Sequence, residues 1–240
     1  GGEDTVQVLE FMEEREKDNP FFRTETTHSQ TLNDGALNGY HGISTFTSSA
    51  NVKTTVFMQS LGYGAKNTYN RYCFEEASPV SNLFLNLKYM IERNGKNKAN
   101  AYFDEINRFG EAVLLQNTAW LPLGFLAQEE LADVDFSKDG FRFQNDLISA
   151  ASGAEGDVWR LLSGQQLNIE GIDVTITDQN SSGYCSYEDG LKGSTISYTY
   201  TVDSDGFMCV DLNFPKRNDV SVWKNDVELY SETISLPQML

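Results

Sequence analysis

Hydrophobic residues recur at helical spacing in the first part of the chain. Three of them would share one face of a first helix, opposite acidic side chains: Val6, Leu9 and Met12. Asn19-Pro20 should end this helix. A second helix should begin at Ser48 or Ser49, whose side-chain oxygens can accept the free N–H groups of a first turn, and end before Gly62. Its inward-facing residues would be Val52, Val56, Phe57 and Leu61.

Short apolar or β-branched runs around these helices predict strands. The runs are FFRTETT, KYMI, EAVLLQN and LPLGFLAQ. The loop TLNDGALNGYHGIS, rich in asparagine and glycine, separates the first of these strands from the second helix. Pro79 occupies a plausible first helical position before VSNLFLNL, and FQNDLISAASG should form a helix closed by Gly153.

The pattern changes at about Gln166. From there the chain consists of strand-length stretches divided by Gly, Asn and Asp turns, which is typical of an antiparallel β-sandwich or jelly roll. The sequence therefore predicts an α+β protein with two domains. Residues 1–160 would form an α/β domain with helices and a mixed sheet, and residues 161–240 a truncated β-sandwich-like domain.

Charge removes one class of partner. The chain has 18 basic and 35 acidic side chains, so its net charge is −17. Nucleic-acid binding depends on clustered Lys and Arg against phosphates, and it is therefore not expected. A polyanionic acceptor is disfavoured for the same reason unless a local basic patch overrides the overall charge. The stretch that leans basic contains Arg71, Lys88, Arg93, Lys96 and Lys98, and a solvated face would also explain it.

The ends of the chain and its cysteines bear on its origin. No apolar stretch is long enough to span a membrane, and the Gly1-Gly2 start lacks a leader pattern, so we expect a water-facing piece of a longer protein. Cys73, Cys185 and Cys209 form no C-x-x-C pair, which argues against a zinc cluster. Free thiols are favoured, and a disulfide between Cys185 and Cys209 stays open.

Standard catalytic and cofactor signatures are missing. The sequence contains no G-x-S-x-G, no H-E-x-x-H and no phosphate loop. A Ser/His/Asp arrangement using His28 or His41 with Ser48 can be imagined, but helix capping already explains that serine. We therefore expect no cofactor, no metal and no catalytic residue in this chain.

The glycine-rich loop and the strand before it carry the most informative polar residues. Arg23, Glu25, Asp34, Tyr40 and His41 would line a polar cleft that binds a hydroxyl-rich ligand, since sugar sites combine planar hydrogen-bonding groups with aromatic faces. The competing interpretation is a loop whose polar groups only satisfy one another.

An ordered series of short motifs covers about residues 19–153. It runs through NPFFR-x-E, Asn33-Asp34, GYHGIS, F-x-SS, Leu61-Gly62, NLFLNLKYMI, QNTAWLPLGF and FQNDLISAASG. This series resembles the outward-facing soluble region of the YfhO family of bacterial multi-span membrane proteins. The positions that carry the resemblance are Arg23, Glu25, Asn33, Asp34, Tyr40, Ser48, Ser49 and Asn117.

The resemblance implies a function. It suggests that the chain belongs to a polytopic GT-C-type glycosyltransferase at the extracytoplasmic face of the bacterial membrane. Such an enzyme moves a sugar from a lipid-phosphate carrier onto a cell-envelope glycan or polymer, and its catalytic acid usually lies in a loop that this chain does not contain. The expected partners are a cell-envelope glycan or lipid-linked sugar and the membrane-embedded remainder of the same protein.

Within that picture this chain would be an accessory or acceptor-binding domain rather than the catalytic part. The ligand-binding candidates are Arg23, Glu25, Asn33, Asp34, Tyr40, His41, Ser48 and Asn117. The alternative is a secreted carbohydrate-binding or adhesion module without catalysis, which the jelly-roll-like pattern after Gln166 would also fit.

Overall fold

The computed structural model describes residues 2–66, 71–74, 78–93, 102–136 and 139–162, followed by 166–170, 176–179, 185–187, 193–202, 205–206, 208–212, 218–234 and 238–239. Its helices are α1 (Gly2–Arg15), α2 (Asp34–Asn38), α3 (Val52–Ser60), α4 (Pro79–Phe84) and α5 (Gly140–Ser152), with a 3₁₀ turn at Glu129–Asp133. The strands up to residue 117 are β1 (Arg23–Thr26), β2 (Thr45–Phe46), β3 (Gly64–Lys66), β4 (Arg71–Cys73), β5 (Leu87–Arg93), β6 (Phe103–Phe109) and β7 (Ala112–Asn117).

A four-stranded sheet organises this part of the chain. Its strand order is β1-β5-β7-β6, with β1 parallel to β5 and the other pairs antiparallel. A smaller sheet has the order β2-β4-β3. Because β1 is an edge strand, its outer side is free to meet the loop that follows it, and the Thr24 N–H donates to the carbonyl of His41 there, 2.9 Å away.

Both faces of the larger sheet are buried. On one face, helix α1 places Val8 and Met12 against Tyr89, Ile91 and Leu114. On the other face, a larger cluster packs residues of α3 and α5 against alternate positions of the same strands: Met58, Leu61, Tyr63, Met90, Val113, Leu115, Phe143 and Leu147. A strand buried on both faces carries a continuous apolar run, which is why KYMI and EAVLLQN could be predicted as strands.

Several predicted elements are confirmed, with differences at their ends. Helix α1 forms, but Val6 is 53% exposed and Val8 takes its place in the core. Helix α3 is capped two or three residues later than predicted, because Asn51 rather than Ser49 or Ser48 accepts the Lys53 N–H. Helices α4 and α5 have the predicted Pro79 start and Gly153 end, the latter in the left-handed conformation.

Other predictions are wrong. The run LPLGFLAQ forms no strand; Leu126 in it is fully exposed. The loop TLNDGALNGYHGIS contains the short helix α2. Strand β6 was not predicted, because most of its side chains reach solvent and its sequence, FDEINRF, is too polar to resemble a buried strand.

The described strands after residue 166 pair in twos. They are β8 (Gln166–Glu170), β9 (Ile176–Gln179), β10 (Cys185–Tyr187), β11 (Thr195–Thr199), β12 (Asp211–Leu212), β13 (Asn218–Lys224), β14 (Val227–Ile234) and β15 (Gln238–Met239). The antiparallel pairs are β8 with β11, β9 with β10, β12 with β15, and β13 with β14. The α+β class is confirmed, and the jelly-roll arrangement stays a prediction.

The chain divides into two compact units. One comprises Gly1–Gly156 together with Cys209–Leu240, and the other comprises Asp157–Met208. The domain boundary at residue 160 stays a prediction. Cys73 and Cys209 form no disulfide, which answers the open question of a bridge to Cys209. Burial raises the pKa of the Cys209 thiol to about 12.

Candidate functional site

A cleft of about 600 Å³ opens in the first unit beside the edge strand β1. Its walls come from the chain on both sides of that strand and from the loop after α2. Four of the eight predicted residues line it: Arg23, Asn33, Tyr40 and His41. Glu25 and Asp34 are buried and do not line the cleft. Glu25 accepts hydrogen bonds from backbone that lines the cleft, and Asp34 accepts them from backbone just before α2.

Glu25 fixes the loop that forms one wall. Its carboxylate accepts the N–H groups of Ile43 and Ser44, each at 2.5 Å, and both of these residues line the cleft. The residue is 3% exposed. Burial raises the pKa of Glu25, and the hydrogen bonds from Ser44 and Ile43 offset only part of that rise.

Asp34 is the first residue of α2, and it ties this helix to the sheet. Its carboxylate accepts the N–H groups of Gln30 and Thr31, both at 2.8 Å, and lies 3.2 Å from the guanidinium of Arg93 on β5. Burial on its own would raise the pKa of Asp34, but the hydrogen bonds from Gln30, Thr31 and Arg93 outweigh it and lower the pKa. The charge of Asp34 is therefore already neutralised inside the protein.

Close backbone contact between α2 and the following loop leaves no room for a side chain at Gly35. A Cβ there would lie 2.9 Å from the Gly42 nitrogen and 2.9 Å from the Tyr40 carbonyl oxygen. Asn33 braces the same region, because its side chain accepts the Phe46 N–H at 2.9 Å and donates to the Phe46 carbonyl at 3.2 Å. Both interactions shape the cleft wall rather than reach into it.

Tyr40 is half-buried at the cleft, and its hydroxyl is buried. Burial, together with the charges of Glu25 and Asp34, raises the pKa of Tyr40, so the phenol stays neutral. Within the described part of the chain its hydroxyl has no hydrogen-bond partner, and neither have the buried hydroxyls of Thr24 and Thr26. The nearby Thr26 hydroxyl opposes the rise in the pKa of Tyr40 only in small part. These groups lie behind the wall of the cleft.

Arg23 and His41 are the basic side chains among the described residues that line the cleft. One N–H of the Arg23 guanidinium donates to the carbonyl of Leu85 at 2.7 Å, and among the described residues Arg23 has no carboxylate partner. The side chain of His41 is exposed, and its backbone carbonyl accepts the Thr24 N–H. Donor groups of both side chains are thus available to a ligand.

The structure does not bring the remaining two candidates to the cleft. Asn117 is buried at the end of β7, where it donates to the Leu87 carbonyl at 2.9 Å and accepts the Ala119 N–H at 3.0 Å. Ser48 lies in an exposed turn before α3.

Sequence reasoning missed the aromatic part of the cleft. Phe21, Phe22 and Tyr72 line it, as does Leu123, and Phe21 is 65% exposed. Two consecutive phenylalanines just before Arg23 were the available signal: Phe22 packs edge-on against Tyr89, and Phe21 is exposed beside it. Tyr72 could not have been found, since it reaches the cleft only through the pairing of β2 with β4.

A second cleft, of about 880 Å³, lies between the 3₁₀ turn and α5. Five carboxylates line it: Glu130, Asp133, Asp135, Asp146 and Glu155. Among the described residues no group of three His, Cys, Asp or Glu side chains could hold a metal ion. The acidic cleft therefore offers no metal site within the described chain.

The stretch that leaned basic in sequence does not form a basic surface where it is described. Lys88 is buried and lies 2.6 Å from the Glu16 carboxylate, and Arg93 is occupied by Asp34. Lys96 and Lys98 lie outside the described residues. No helix in the described part of the chain is both long and apolar enough to cross a membrane.

Comparison with known proteins gives one match. Residues 3–233 match the sequence model of a family described as bacterial membrane protein YfhO, which covers nearly the whole chain. No curated protein matches, and no solved structure does. The chain therefore belongs to the YfhO family, as the motif series had indicated.

Proposed function

From this membership in a family of bacterial membrane proteins, we propose that the chain is the extracytoplasmic accessory or acceptor-binding region of a polytopic glycosyltransferase. The whole protein would modify cell-envelope glycans or polymers with a sugar carried on a lipid phosphate. The sugar-transfer step is assigned to the remainder of the protein, and this chain would hold the glycan or the lipid-linked sugar.

The cleft beside β1 is the observation that carries the binding role. It offers exposed aromatic surface at Phe21, donor groups at Arg23 and His41, and a wall kept rigid by Glu25. Aromatic faces beside fixed hydrogen-bonding groups are what a sugar ring requires. A volume of about 600 Å³ suits one or two such rings.

The alternative of a free secreted module is the weaker proposal. It rests on the jelly-roll-like sequence pattern after residue 166, whose described strands pair in twos. Membership in a family described as membrane proteins favours attachment to a membrane-embedded remainder instead.

Complementation in cells tests the proposal. Cells that lack the full-length gene would receive it back either unchanged or with Phe21→Ala and His41→Ala together. Both side chains are exposed, so their removal should leave the fold intact. We expect the deletion to lower the sugar content of purified envelope polymers, measured by hydrolysis and chromatography, and the double variant to restore less than half of it.

The matched control is Leu126→Ala, because Leu126 is a fully exposed apolar residue that does not line the cleft. This variant should restore glycosylation completely. An unchanged sugar content in the deletion strain would refute the proposed function. Full restoration by the double variant would instead show that the cleft takes no part in the proposed function.

A further inference from the structure

The distribution of charge around the cleft is unusual for this protein. The sequence contains 35 acidic residues, yet no Asp or Glu is among the described residues that line the cleft, whereas Arg23 and His41 are. The second cleft has the opposite lining, with five carboxylates and Arg142. The cleft beside β1 is therefore a local exception to a net charge of −17.

The acids nearest to this cleft are already occupied. Asp34 is paired with Arg93, and the carboxylate of Glu25 accepts two backbone N–H groups. Neither carboxylate contacts Arg23. By contrast, four other arginines lie within 4.0 Å of a carboxylate: Arg15, Arg93, Arg108 and Arg142. Among the described residues, no carboxylate thus offsets the positive charge of Arg23, which lies at the wall of a preformed cavity.

We propose that the cleft beside β1 binds a phosphate ester, with the Arg23 guanidinium as its main ligand and His41 as a second donor. The inference rests on the proposed function and narrows it, since it identifies the phosphate of the bound glycan or lipid-linked sugar as the group that is recognised. A guanidinium presents a fork of N–H donors that matches phosphate oxygens, and Arg23 has one of its N–H groups committed to the Leu85 carbonyl.

The hydrogen bond to Leu85 also orders the Arg23 side chain. It anchors one corner of the guanidinium at 2.7 Å, so the side chain is held in place before a ligand arrives. A donor that is already ordered loses less conformational entropy on binding. Phe21 and Leu123, which are 65% and 58% exposed, place apolar surface on the same cleft. The site therefore suits a phosphate attached to an apolar or sugar group better than a free phosphate ion.

Calorimetric titration of the 240-residue chain tests the proposal. The probes are ethyl phosphate and the neutral methyl glucoside, each at low ionic strength. We expect ethyl phosphate to bind and the Arg23→Gln variant to bind it at least about tenfold more weakly, the loss typical of one charge-assisted contact. His41→Ala should weaken binding by a few fold. Arg142→Gln is the matched control, because Arg142 is exposed at the acidic cleft, and it should bind as the unchanged chain does.

Stability must be separated from recognition, since Arg23 also bonds to Leu85. Arg23→Lys keeps the charge but not the fork of donors, and its thermal unfolding shows whether the fold survives. A folded Arg23→Lys variant should bind with intermediate affinity. Equal affinity of Arg23→Gln and Arg142→Gln for ethyl phosphate would overturn the proposal, and so would an unchanged chain that binds methyl glucoside but not ethyl phosphate. Binding of methyl glucoside alone would leave the proposed function intact. Normal envelope glycosylation in the deletion strain would instead refute the proposed function and would say nothing about phosphate binding.

A longer apolar group on the probe distinguishes the two sources of a phosphate ester. Octyl phosphate, used below its micelle concentration, should bind about tenfold or more tightly than ethyl phosphate if the natural ligand is a lipid phosphate, and Phe21→Ala should cancel the gain. Equal affinity of the two probes would indicate a water-soluble phosphate polymer. Both results require Arg23, and so both support the assignment of the phosphate.

Discussion

A buried ion pair behind the aromatic wall of the cleft offers a quantitative test of the fold. The Lys88 ammonium lies 2.6 Å from the Glu16 carboxylate, and the two side chains are only 9% and 8% exposed. The Tyr89 hydroxyl donates to the other Glu16 oxygen, and the Lys88 nitrogen lies 4.4 Å from the ring centre of Trp120. Removing one charge therefore leaves the other in a site with little access to water.

The loss in unfolding free energy depends on which partners the remaining charge keeps after each substitution. Glu16→Leu leaves the Lys88 ammonium with aromatic faces alone, so we expect a loss of about 3–5 kcal/mol, as for other broken buried pairs. Lys88→Met should cost about 2–3 kcal/mol, because the Glu16 carboxylate keeps the hydrogen bond from Tyr89. With both changes together no charge is buried, and the double variant should be more stable than either single one.

Urea unfolding measured by the fluorescence of Trp120 reports on this pair directly. Replacing Trp159 and Trp223 by phenylalanine leaves Trp120 as the sole indole, and its ring contacts Lys88. The control is the exposed pair of Glu105 and Arg108, which has a similar separation of 2.7 Å with side chains 48% and 54% exposed. Glu105→Gln should therefore cost less than about 1 kcal/mol.

Burial should make the two pairs respond differently to the loss of a charge. A cost for Glu16→Leu no larger than that of Glu105→Gln would mean that water reaches Lys88 in solution. A double variant less stable than both single variants would also contradict the expected penalty for an unpaired charge, because each side chain would then contribute on its own rather than through the pairing of the two charges.

Three further predictions concern the loop that forms the cleft. Asp34 has a lowered pKa in the folded chain, so its contribution to stability is present above pH 3.8 and is lost as the pH falls through the folded value; Asp34→Asn should flatten the acid limb of a plot of unfolding free energy against pH. Glu25 has a raised pKa, so stability falls as the pH rises from 4.5 through the folded value, and Glu25→Gln should remove that decline. Gly35→Ala should cost about 1–3 kcal/mol and weaken ligand binding, because the new Cβ meets loop backbone at 2.9 Å, whereas Gly124→Ala, with open space around it, should change neither thermal unfolding nor affinity.

Local patterns predicted the elements whose faces are buried. Strand β5 and strand β7 were predicted because both their faces lie in the core, and helix α5 because Gly153 ends it in the left-handed conformation. Strand β6 escaped prediction because most of its side chains reach solvent and it pairs with β7 only through the fold. The cap of α3 was misplaced because Ser and Asn are about equally good caps, so sequence preference alone does not choose among neighbours.

The candidate site was also predictable where it depends on local sequence patterns. Arg23 lies close in sequence to the glycine-rich loop, and Tyr40 and His41 belong to it; all three line the cleft. The Asn and Gly turn residues of the loop indicated where it lies. Which polar groups would be occupied could not be predicted, because their partners are distant in sequence. The Asp34 carboxylate meets Arg93 from β5, and Tyr72 arrives through the pairing of β2 with β4.

The local charge of Arg23 and the net charge of the whole chain act differently on a phosphate ligand. Charges are screened over about 8 Å at physiological ionic strength, so a small ester inside the cleft interacts mainly with Arg23, while the −17 of the whole chain acts on whatever extends beyond it. A glycerol phosphate polymer should therefore bind more weakly per phosphate than glycerol phosphate itself at low salt. Raising the salt concentration should narrow that difference, because it screens the repulsion from the acidic surface more than the direct contact with Arg23. A polymer that binds more tightly per phosphate at low salt would show that the acidic surface does not face the ligand.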